Sequence, residues 1–108
     1  MGPRSESSAV VRARVAVARD RAMARNDGVP NARLSGSQVV DRCQLTRRAS
    51  GLLGEVGRSE SLSARAIHRL LRVARTIADL GGRDAVDEDD VSAALNLRQE
   101  ILPRALGA

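Results

Sequence analysis

The sequence predicts an all-α fold, a small bundle of about four to five helices, on three observations. Apolar residues recur every three to four positions along most of the chain, and no stretch alternates apolar and polar residues as a strand does. Several of these apolar stripes begin directly after a Ser or Asp that can cap a helix N-terminus. The chain has 108 residues, which is the length of one domain.

The first predicted helix runs from about Ser8 to Arg25. Its apolar residues fall on one stripe, which consists of Val11, Val15, Ala18 and Ala22. Residues 26–28 read Asn-Asp-Gly, which is a turn signal, and Pro30 prevents an immediate return to helix. We therefore expect this helix to end before residue 26.

The second and third predicted helices are short. The second begins at Ser35, which forms a capping-box pattern with Gln38. Leu34 and Val39 hold the positions of a hydrophobic staple around that cap. The third helix runs over about residues 46–56, with Gly57 as its predicted C-terminal cap. Its apolar residues are Leu45, Ala49, Leu52, Leu53 and Val56.

The fourth predicted helix carries the clearest amphipathic pattern. Ser63 is its N-cap, and Gly81 and Gly82 end it. A broad apolar face consists of Ile67, Leu70, Leu71, Ala74, Ile77 and Ala78. On the opposite face, three arginines fall together at spacings of four and three residues, namely Arg65, Arg69 and Arg72.

The fifth predicted helix starts at Asp87. The acidic residues 88–90 fill its first turn, where negative charge complements the positive end of the helix dipole. Pro103 marks its predicted end. We therefore expect residues 6–102 to form a single helical domain, residues 1–5 to be a disordered start and residues 103–108 to be a tail.

The core must be built without aromatic side chains, since the sequence contains no Phe, Tyr or Trp. A domain of this size buries only about 60–65% of its unfolded surface. Leu, Ile, Val, Met and Ala then supply all the packing, and none of them buries as much area as an aromatic ring does. We expect modest stability and a surface that relies on a partner.

All strongly basic side chains of this sequence are arginines. Eighteen Arg and no Lys stand against thirteen acidic residues, which gives a net charge of +5. Guanidinium groups bind phosphates and carboxylates through a planar fork. The net positive charge suits an anionic partner such as a nucleotide, a nucleic acid or an acidic protein surface. A solvated basic surface without such a partner is the alternative, and the charge favours the two equally.

The residues that commonly carry catalysis or hold metals are nearly absent. A phosphate-binding P-loop needs a lysine, and this chain has none. Cys43 is the only thiol and His68 the only imidazole, so we expect no disulfide, no metal site and no catalytic constellation. We interpret Cys43 as a buried core residue and His68 as an exposed or hydrogen-bonded one. No signal peptide or membrane-spanning stretch is found, and a cytoplasmic location fits.

Arg65 is the strongest candidate for a binding residue. It falls in the first turn of the fourth helix, where the backbone already presents partial positive charge. An arginine beside free N–H groups makes a stronger anion site than either part alone. The residues themselves leave a solvated arginine as the alternative.

These segments resemble a known family. Residues 62–80, LSARAIHRLLRVARTIADL, resemble the sensor-2 helix of magnesium-chelatase-like AAA+ ATPases, within which the ComM/YifB family is most similar. Residues 11–15, 31–36 and 86–95 also resemble the C-terminal lid domain of that family. The resemblance covers roughly residues 6–98. The fourth-helix segment is fairly specific, whereas the acidic start of the fifth helix is common among AAA+ lids.

The resemblance implies a non-catalytic part of an ATP hydrolase. The arginine that matches Arg65 contacts the nucleotide phosphates in the family, with Arg69 and Arg72 as a supporting basic face here. ATP and Mg²⁺ would be cofactors of the full-length protein and not of this domain alone. The implied partners are the AAA+ core domain of the same chain and neighbouring subunits of a homo-hexameric ring. The resemblance also points to DNA branch migration during natural transformation, which makes DNA a candidate partner of the full-length protein.

Two other functions stay open at the level of the sequence. One is a free-standing basic helical module that binds nucleic acid, favoured by the net charge but weakened by the lack of aromatic residues that stack on bases. The other is a structural oligomerisation domain. Affinity for DNA and its salt dependence separate the first from a lid, and self-association without a nucleotide response identifies the second.

Overall fold

The computed structural model describes residues 7–107, and side chains are described for residues 7–98. The described part contains five α-helices and no extended strand. These are α1 (Ser8–Arg25), α2 (Gly36–Cys43), α3 (Arg47–Ser59), α4 (Ala64–Leu80) and α5 (Glu88–Gly107), with a 3-10 turn at Asn31–Arg33 between α1 and α2. The predicted all-α bundle is confirmed. The predicted disordered start, residues 1–5, lies outside the described residues.

Helix α4 forms the centre of the bundle. It packs against α1, α2, α5 and the 3-10 turn, while α3 packs mainly against α5. The predicted apolar face of α4 is confirmed, since Leu70, Leu71, Ala74 and Ala78 are buried and the two isoleucines pack against the cluster from its margin. Because α4 touches so many neighbours, the bundle fixes the position of the helix backbone that carries its remaining face.

The predicted N-terminal caps of α2 and α4 are present. The Ser35 hydroxyl accepts the Gln38 N–H at 3.2 Å, and the Gln38 side-chain oxygen accepts the Ser35 N–H at 2.9 Å. The Ser63 hydroxyl accepts the Ala66 N–H at 3.1 Å. Leu34 and Val39 are both buried in the core, as the predicted staple requires. These local signals therefore place the N-terminal ends of α2 and α4 correctly.

Two predicted helix ends are wrong. Helix α3 continues through Gly57 to Ser59, since a glycine inside a helix costs only about 1 kcal/mol. The turn that follows uses Ser61, whose φ of 52° lies in the left-handed region. Helix α5 continues past Pro103 to Gly107, because a proline removes one backbone hydrogen bond and bends a helix without having to end it.

The apolar stripe predicted for α1 is only half buried. Ala18 and Ala22, in the C-terminal half, pack into the bundle. Val11 and Val15 lie on the N-terminal half and remain 42% and 43% exposed. The N-terminal half of α1 thus presents apolar surface to solvent, to which Val10 also contributes, and Val17 extends this surface just past the middle of the helix.

Candidate anion-binding site

The arginine face of α4 lines a concave cavity of about 510 Å³. Its lining residues are Ala32, from the 3-10 turn, and four residues of α4, which are Arg65, His68, Arg69 and Arg72. The structure thus brings the predicted arginines together and adds the only histidine of the chain. Residues three and four apart lie on one side of a helix, which explains why these four side chains converge.

The three arginines of this basic cavity differ in how firmly they are held. Arg72 is half-buried, and its Nε donates a hydrogen bond of 2.9 Å to the Leu34 carbonyl, just before α2. Arg65 and Arg69 are exposed and make no hydrogen bond or ion pair with any residue that the structure describes. One guanidinium is therefore preorganised, and two remain free to turn toward a ligand.

His68 packs against the start of α2. Its imidazole ring lies so close to Gly36 that a Cβ on that residue would clash with it. The first residue of α2 must be a glycine, or the ring must move. This contact brings the start of α2 against the N-terminal part of α4, beside the cavity.

The chemistry of the lining residues suits an anion. Three guanidinium groups offer many N–H donors and no acceptor, which is what phosphate oxygens require. No carboxylate lines the cavity. Among the described residues, no group of three or more His, Cys, Asp and Glu is placed to hold a metal ion. A cation that accompanies a bound phosphate would have to be held by groups outside this cavity.

The position of Arg65 in the first turn of α4 does not by itself distinguish it. Helix α3 also begins with arginines, Arg47 and Arg48, and neither helix has an acidic residue in its first turn. Arg48 is paired with Glu88 at 3.3 Å, and Arg47 is exposed. The distinguishing feature of Arg65 is the cavity it shares with two further arginines.

Sequence reasoning missed a buried arginine on the other side of the same helix. Arg75 is 0% exposed and lies among the apolar residues of α4. Its guanidinium donates to the carbonyls of Arg42 and Cys43, both at 3.1 Å, and so covers the C-terminal end of α2. It also donates to the carbonyls of Arg83 and Asp84, in the loop after α4. One side chain therefore connects three parts of the bundle.

Asp79 balances this buried charge. Arg25 donates to both of its oxygens, at 2.8 and 2.7 Å, and Asn31 donates to one of them at 2.9 Å. Burial alone would raise the pKa of Asp79, but the hydrogen bonds from Arg25 and Asn31 and the nearby charge of Arg75 lower it below the ordinary value overall. The i, i+4 spacing of Arg75 and Asp79 on an otherwise apolar face was the available sequence signal.

The remaining candidates have structural roles. Cys43 is fully buried, as predicted, and burial raises the pKa of its thiol from about 9 to about 11. Asp87 caps α5, since its side chain accepts the Glu88 N–H at 2.8 Å and a hydrogen bond from the Thr46 hydroxyl at 2.8 Å. Asp90, predicted to complement the helix dipole, is also buried and pairs with Arg83.

The described residues include no helix that combines the length and the apolar character needed to cross a bilayer.

A second, smaller groove of about 230 Å³ lies between α4 and α5, on the other side of Arg69. Its lining is mainly apolar and consists of Ala66, Arg69, Leu70, Val73, Ala94, Leu97 and Arg98. Arg69 therefore borders both the basic cavity and this apolar groove.

Comparison with known proteins identifies the family that the sequence resembles. The family model described as magnesium chelatase, subunit ChlI C-terminal, matches residues 5–98. The chain is 37% identical over 100 residues to the competence protein ComM of Haemophilus influenzae, which covers 93% of the chain and 19% of that protein. The uncharacterized protein YifB of Salmonella typhimurium is 37% identical over 95 residues, with 88% of the chain and 19% of that protein covered.

A mycobacterial relative, the uncharacterized protein Mb2921c of Mycobacterium bovis, is 38% identical over 97 residues, with 87% of the chain and 19% of that protein covered. The chain thus spans about a fifth of the length of these relatives. No solved structure matches the chain significantly.

Proposed function

Because this chain belongs to the family of magnesium chelatase subunit ChlI C-terminal domains, we propose that it acts as the helical lid of a ComM/YifB-like AAA+ ATPase. In this proposal Arg65 is the sensor-2 residue, which contacts the phosphates of ATP. Arg69 and Arg72 support it. The observation that carries the proposal is the basic cavity, in which Arg65 converges with two further arginines and His68.

A guanidinium at this place would act on the charge that develops during phosphoryl transfer. Negative charge spreads over the oxygens of the transferred phosphoryl group, and two parallel N–H···O hydrogen bonds from one arginine stabilise it. The contact exists only while that phosphate is present. Arg65 would therefore also couple the nucleotide state to the orientation of the whole bundle, because α4 is its centre.

The remaining parts of the catalytic machinery would come from outside this chain. The 108 residues include no lysine and so no P-loop. The cavity offers no carboxylate that could hold Mg²⁺ or orient a water. ATP and Mg²⁺ are thus proposed as cofactors of the complete ATPase, to which this domain contributes a phosphate contact and no bond-breaking group.

The proposed partners are the AAA+ core domain and the neighbouring subunits of a homo-hexameric ring in the cytoplasm. The exposed valines on the N-terminal half of α1 support a protein contact, since a thin domain gains little by leaving apolar side chains in water. The name of the Haemophilus relative refers to competence, and we propose DNA processing as the task of the complete protein.

The net charge of +5 favours a second candidate, direct binding of nucleic acid by this domain. A DNA-binding module neutralises several phosphates along a strand, so its affinity falls steeply with salt and is independent of nucleotide triphosphates. A lid binds DNA weakly or not at all by itself. Titration of labelled DNA with the 108-residue chain at two salt concentrations separates these two functions.

The experiment that tests the proposed function is ATP hydrolysis by the assembled ATPase that carries this domain, with Arg65 intact and with Arg65→Ala. A large loss of turnover in the variant supports the sensor-2 role. Unchanged turnover would show that Arg65 is an ordinary surface residue.

A further inference from the structure

Helix α1 is attached to the bundle almost without the hydrophobic core. The core cluster is built from residues of the other four helices and of the segments between them, and none of the described α1 residues belongs to it. Of the 18 residues of α1, only Ala18 and Ala22 are buried. The side chain of alanine is a single methyl group, so these two residues bury little apolar area. Apolar burial therefore holds α1 weakly.

A charged contact, which we call the polar latch, supplies the remaining attachment of α1. Arg25, in the last turn of α1, donates to both carboxylate oxygens of Asp79 on α4, at 2.8 and 2.7 Å. A second pair joins Arg21 to Asp84, but it lies at the surface, where an ion pair contributes little. The Arg25–Asp79 contact is much better shielded from water. It is therefore the strongest single connection between α1 and α4.

Release of the polar latch leaves no buried charge without a partner. Asp79 keeps the Arg75 guanidinium at 3.1 Å and the Asn31 amide at 2.9 Å, and neither of these residues belongs to α1. Arg25 is partly exposed already, so water can replace its lost hydrogen bonds. A broken buried pair is most costly where the remaining charge is left uncompensated, and here it is not. The contact can therefore open without disrupting the rest of the buried network.

The segment that follows α1 has the form of a hinge. Asp27 and Gly28 have φ angles of 54° and 87°, in the left-handed region, and both are exposed. Directly after them, Val29 packs against the core cluster, and Asn31 donates to Asp79 on α4. Hinges are a few loop residues that absorb the backbone rotation between two bodies. Residues 27–28 thus separate α1 from a segment that is anchored independently.

We propose that α1 is a hinged arm, which opens from α4 as a unit when the polar latch breaks while the other four helices stay folded. Opening joins the buried and the exposed parts of the α1 stripe into one continuous apolar surface, formed by Val11, Val15, Ala18 and Ala22. It also uncovers the part of α4 that α1 covers. The inference goes beyond the proposed function, because no residue of α1 lines the basic cavity.

Amide hydrogen exchange of the 108-residue chain, resolved by residue with NMR, tests whether α1 opens separately. A detached helix of 18 residues is only marginally stable in water, so its amides exchange once the arm opens. We expect the amides of residues 19–25, next to the polar latch, to be protected at least about tenfold less than those of residues 70–78 in α4. Equal protection would show that both helices open only in global unfolding and would overturn the proposal.

Substitution of the latch arginine tests which contact holds the arm. Arg25→Met keeps the helix propensity and removes the hydrogen bonds of the polar latch, so exchange in residues 19–25 should accelerate by at least about tenfold. Arg21→Met is the matched control, because it removes only a surface ion pair of the same helix, and it should accelerate this exchange by about threefold or less. Equal effects of the two substitutions would overturn the role of the latch.

A core substitution away from α1 tests whether the other helices stay folded when the arm opens. Val91 is fully buried in α5, so Val91→Ala weakens the core and should accelerate exchange in residues 70–78 by at least about tenfold. Exchange in residues 19–25 should change by less than about threefold, because the core is intact in the open form. Equal acceleration of both segments, or failure of Arg25→Met to fold, would show that α1 belongs to the same cooperative unit. If Val91→Ala does not fold, the wild-type comparison of the two segments decides.

Discussion

The Arg75 guanidinium donates a hydrogen bond of 3.1 Å to the Asp79 carboxylate one helical turn later, and both side chains are almost completely buried. Arg25 contacts the same carboxylate from α1, so one acidic group serves two arginines. This buried ion pair joins α1 to α4, and through Arg75 it reaches α2 and the loop that leads to α5. The pair thus ties α4 to three neighbouring segments of the bundle.

Removal of the carboxylate should be costly. We expect Asp79→Ala to lower the free energy of unfolding by about 3–5 kcal/mol, because the buried Arg75 and the partly buried Arg25 lose their counter-charge. Asp84→Ala is the matched control. Asp84 pairs with Arg21 at the surface and its side chain is 86% exposed, so a loss of about 0–1 kcal/mol is expected. Urea denaturation of both variants checks this, and equal effects would contradict the role given to the buried pair.

Asp79 should also contribute to the acid stability of the domain. Its pKa is lower in the folded than in the unfolded chain, so its ionised form stabilises the fold. That contribution is fully present above the ordinary aspartate pKa of about 4 and is lost as the pH falls below it. Denaturation midpoints between pH 7 and pH 2 should therefore decline less steeply in Asp79→Asn than in the wild type. Parallel declines would contradict this assignment.

The buried thiol gives a prediction at high pH. Burial raises the pKa of Cys43 to about 11, so the folded protein keeps a neutral thiol where an unfolded chain ionises it. The contribution of the Cys43 thiol to the free energy of unfolding is fully present below about pH 9. It is lost as the pH rises from about 9 to about 11, and the free energy of unfolding falls by no more than about 1.4 kcal/mol per pH unit. We expect the stability difference between wild type and Cys43→Ala to shrink over that range.

Thiol labelling offers a second check on Cys43. At pH 8 the folded protein should react with a thiol reagent only as fast as it opens, since the side chain is fully buried and protonated. Labelling at the rate of a free cysteine under native conditions would show that α2 does not pack on α4 as described.

The core prediction concerns Leu71, which is 1% exposed at the centre of α4. Leu71→Ala should lower stability by about 2–5 kcal/mol, which could unfold so small a domain. Val73→Ala on the same helix is the control, because Val73 is 39% exposed and its truncation removes few buried contacts. A loss below about 0.5 kcal/mol in Leu71→Ala would contradict the central place of α4.

Local signals in the sequence predicted the helices better than their ends. Capping patterns at Ser35 and Ser63 placed the starts of α2 and α4, because such hydrogen bonds are made within a few residues. The ends of α3 and α5 lie beyond Gly57 and Pro103, because a glycine or a proline disfavours a helix without always ending it, and local sequence does not show which outcome applies.

The site was predictable to the extent that it lies on one helix. The spacing of Arg65, Arg69 and Arg72 placed them on one face without knowledge of the fold. The contact of Arg72 with Leu34 and that of His68 with Gly36 join segments more than thirty residues apart, and only the structure shows them. Buried Arg75 was missed although its i, i+4 spacing to Asp79 is visible in the sequence, because its other partners lie at the end of α2 and in the loop after α4.

The domain by itself should not hydrolyse ATP. It lacks a P-loop lysine, and its cavity has no carboxylate to hold Mg²⁺. Release of phosphate by the purified 108-residue chain should therefore equal that of a buffer blank with and without Mg²⁺. Turnover that copurifies with the chain and is abolished by Arg65→Ala would show that the domain is catalytic.

The most direct test of the central claim is the ATP turnover of the assembled ATPase with substitutions at Arg65. We expect Arg65→Ala to reduce turnover by about 10³-fold or more, as loss of an arginine that stabilises the transferred phosphoryl group does. Arg65→Lys should restore little, because an ammonium cannot make the bidentate contact, and Arg69→Ala should have a smaller effect. Arg47→Ala, in the first turn of α3, controls for loss of a first-turn arginine and should leave turnover unchanged. Wild-type turnover in Arg65→Ala rings of normal assembly and thermal stability would contradict the account.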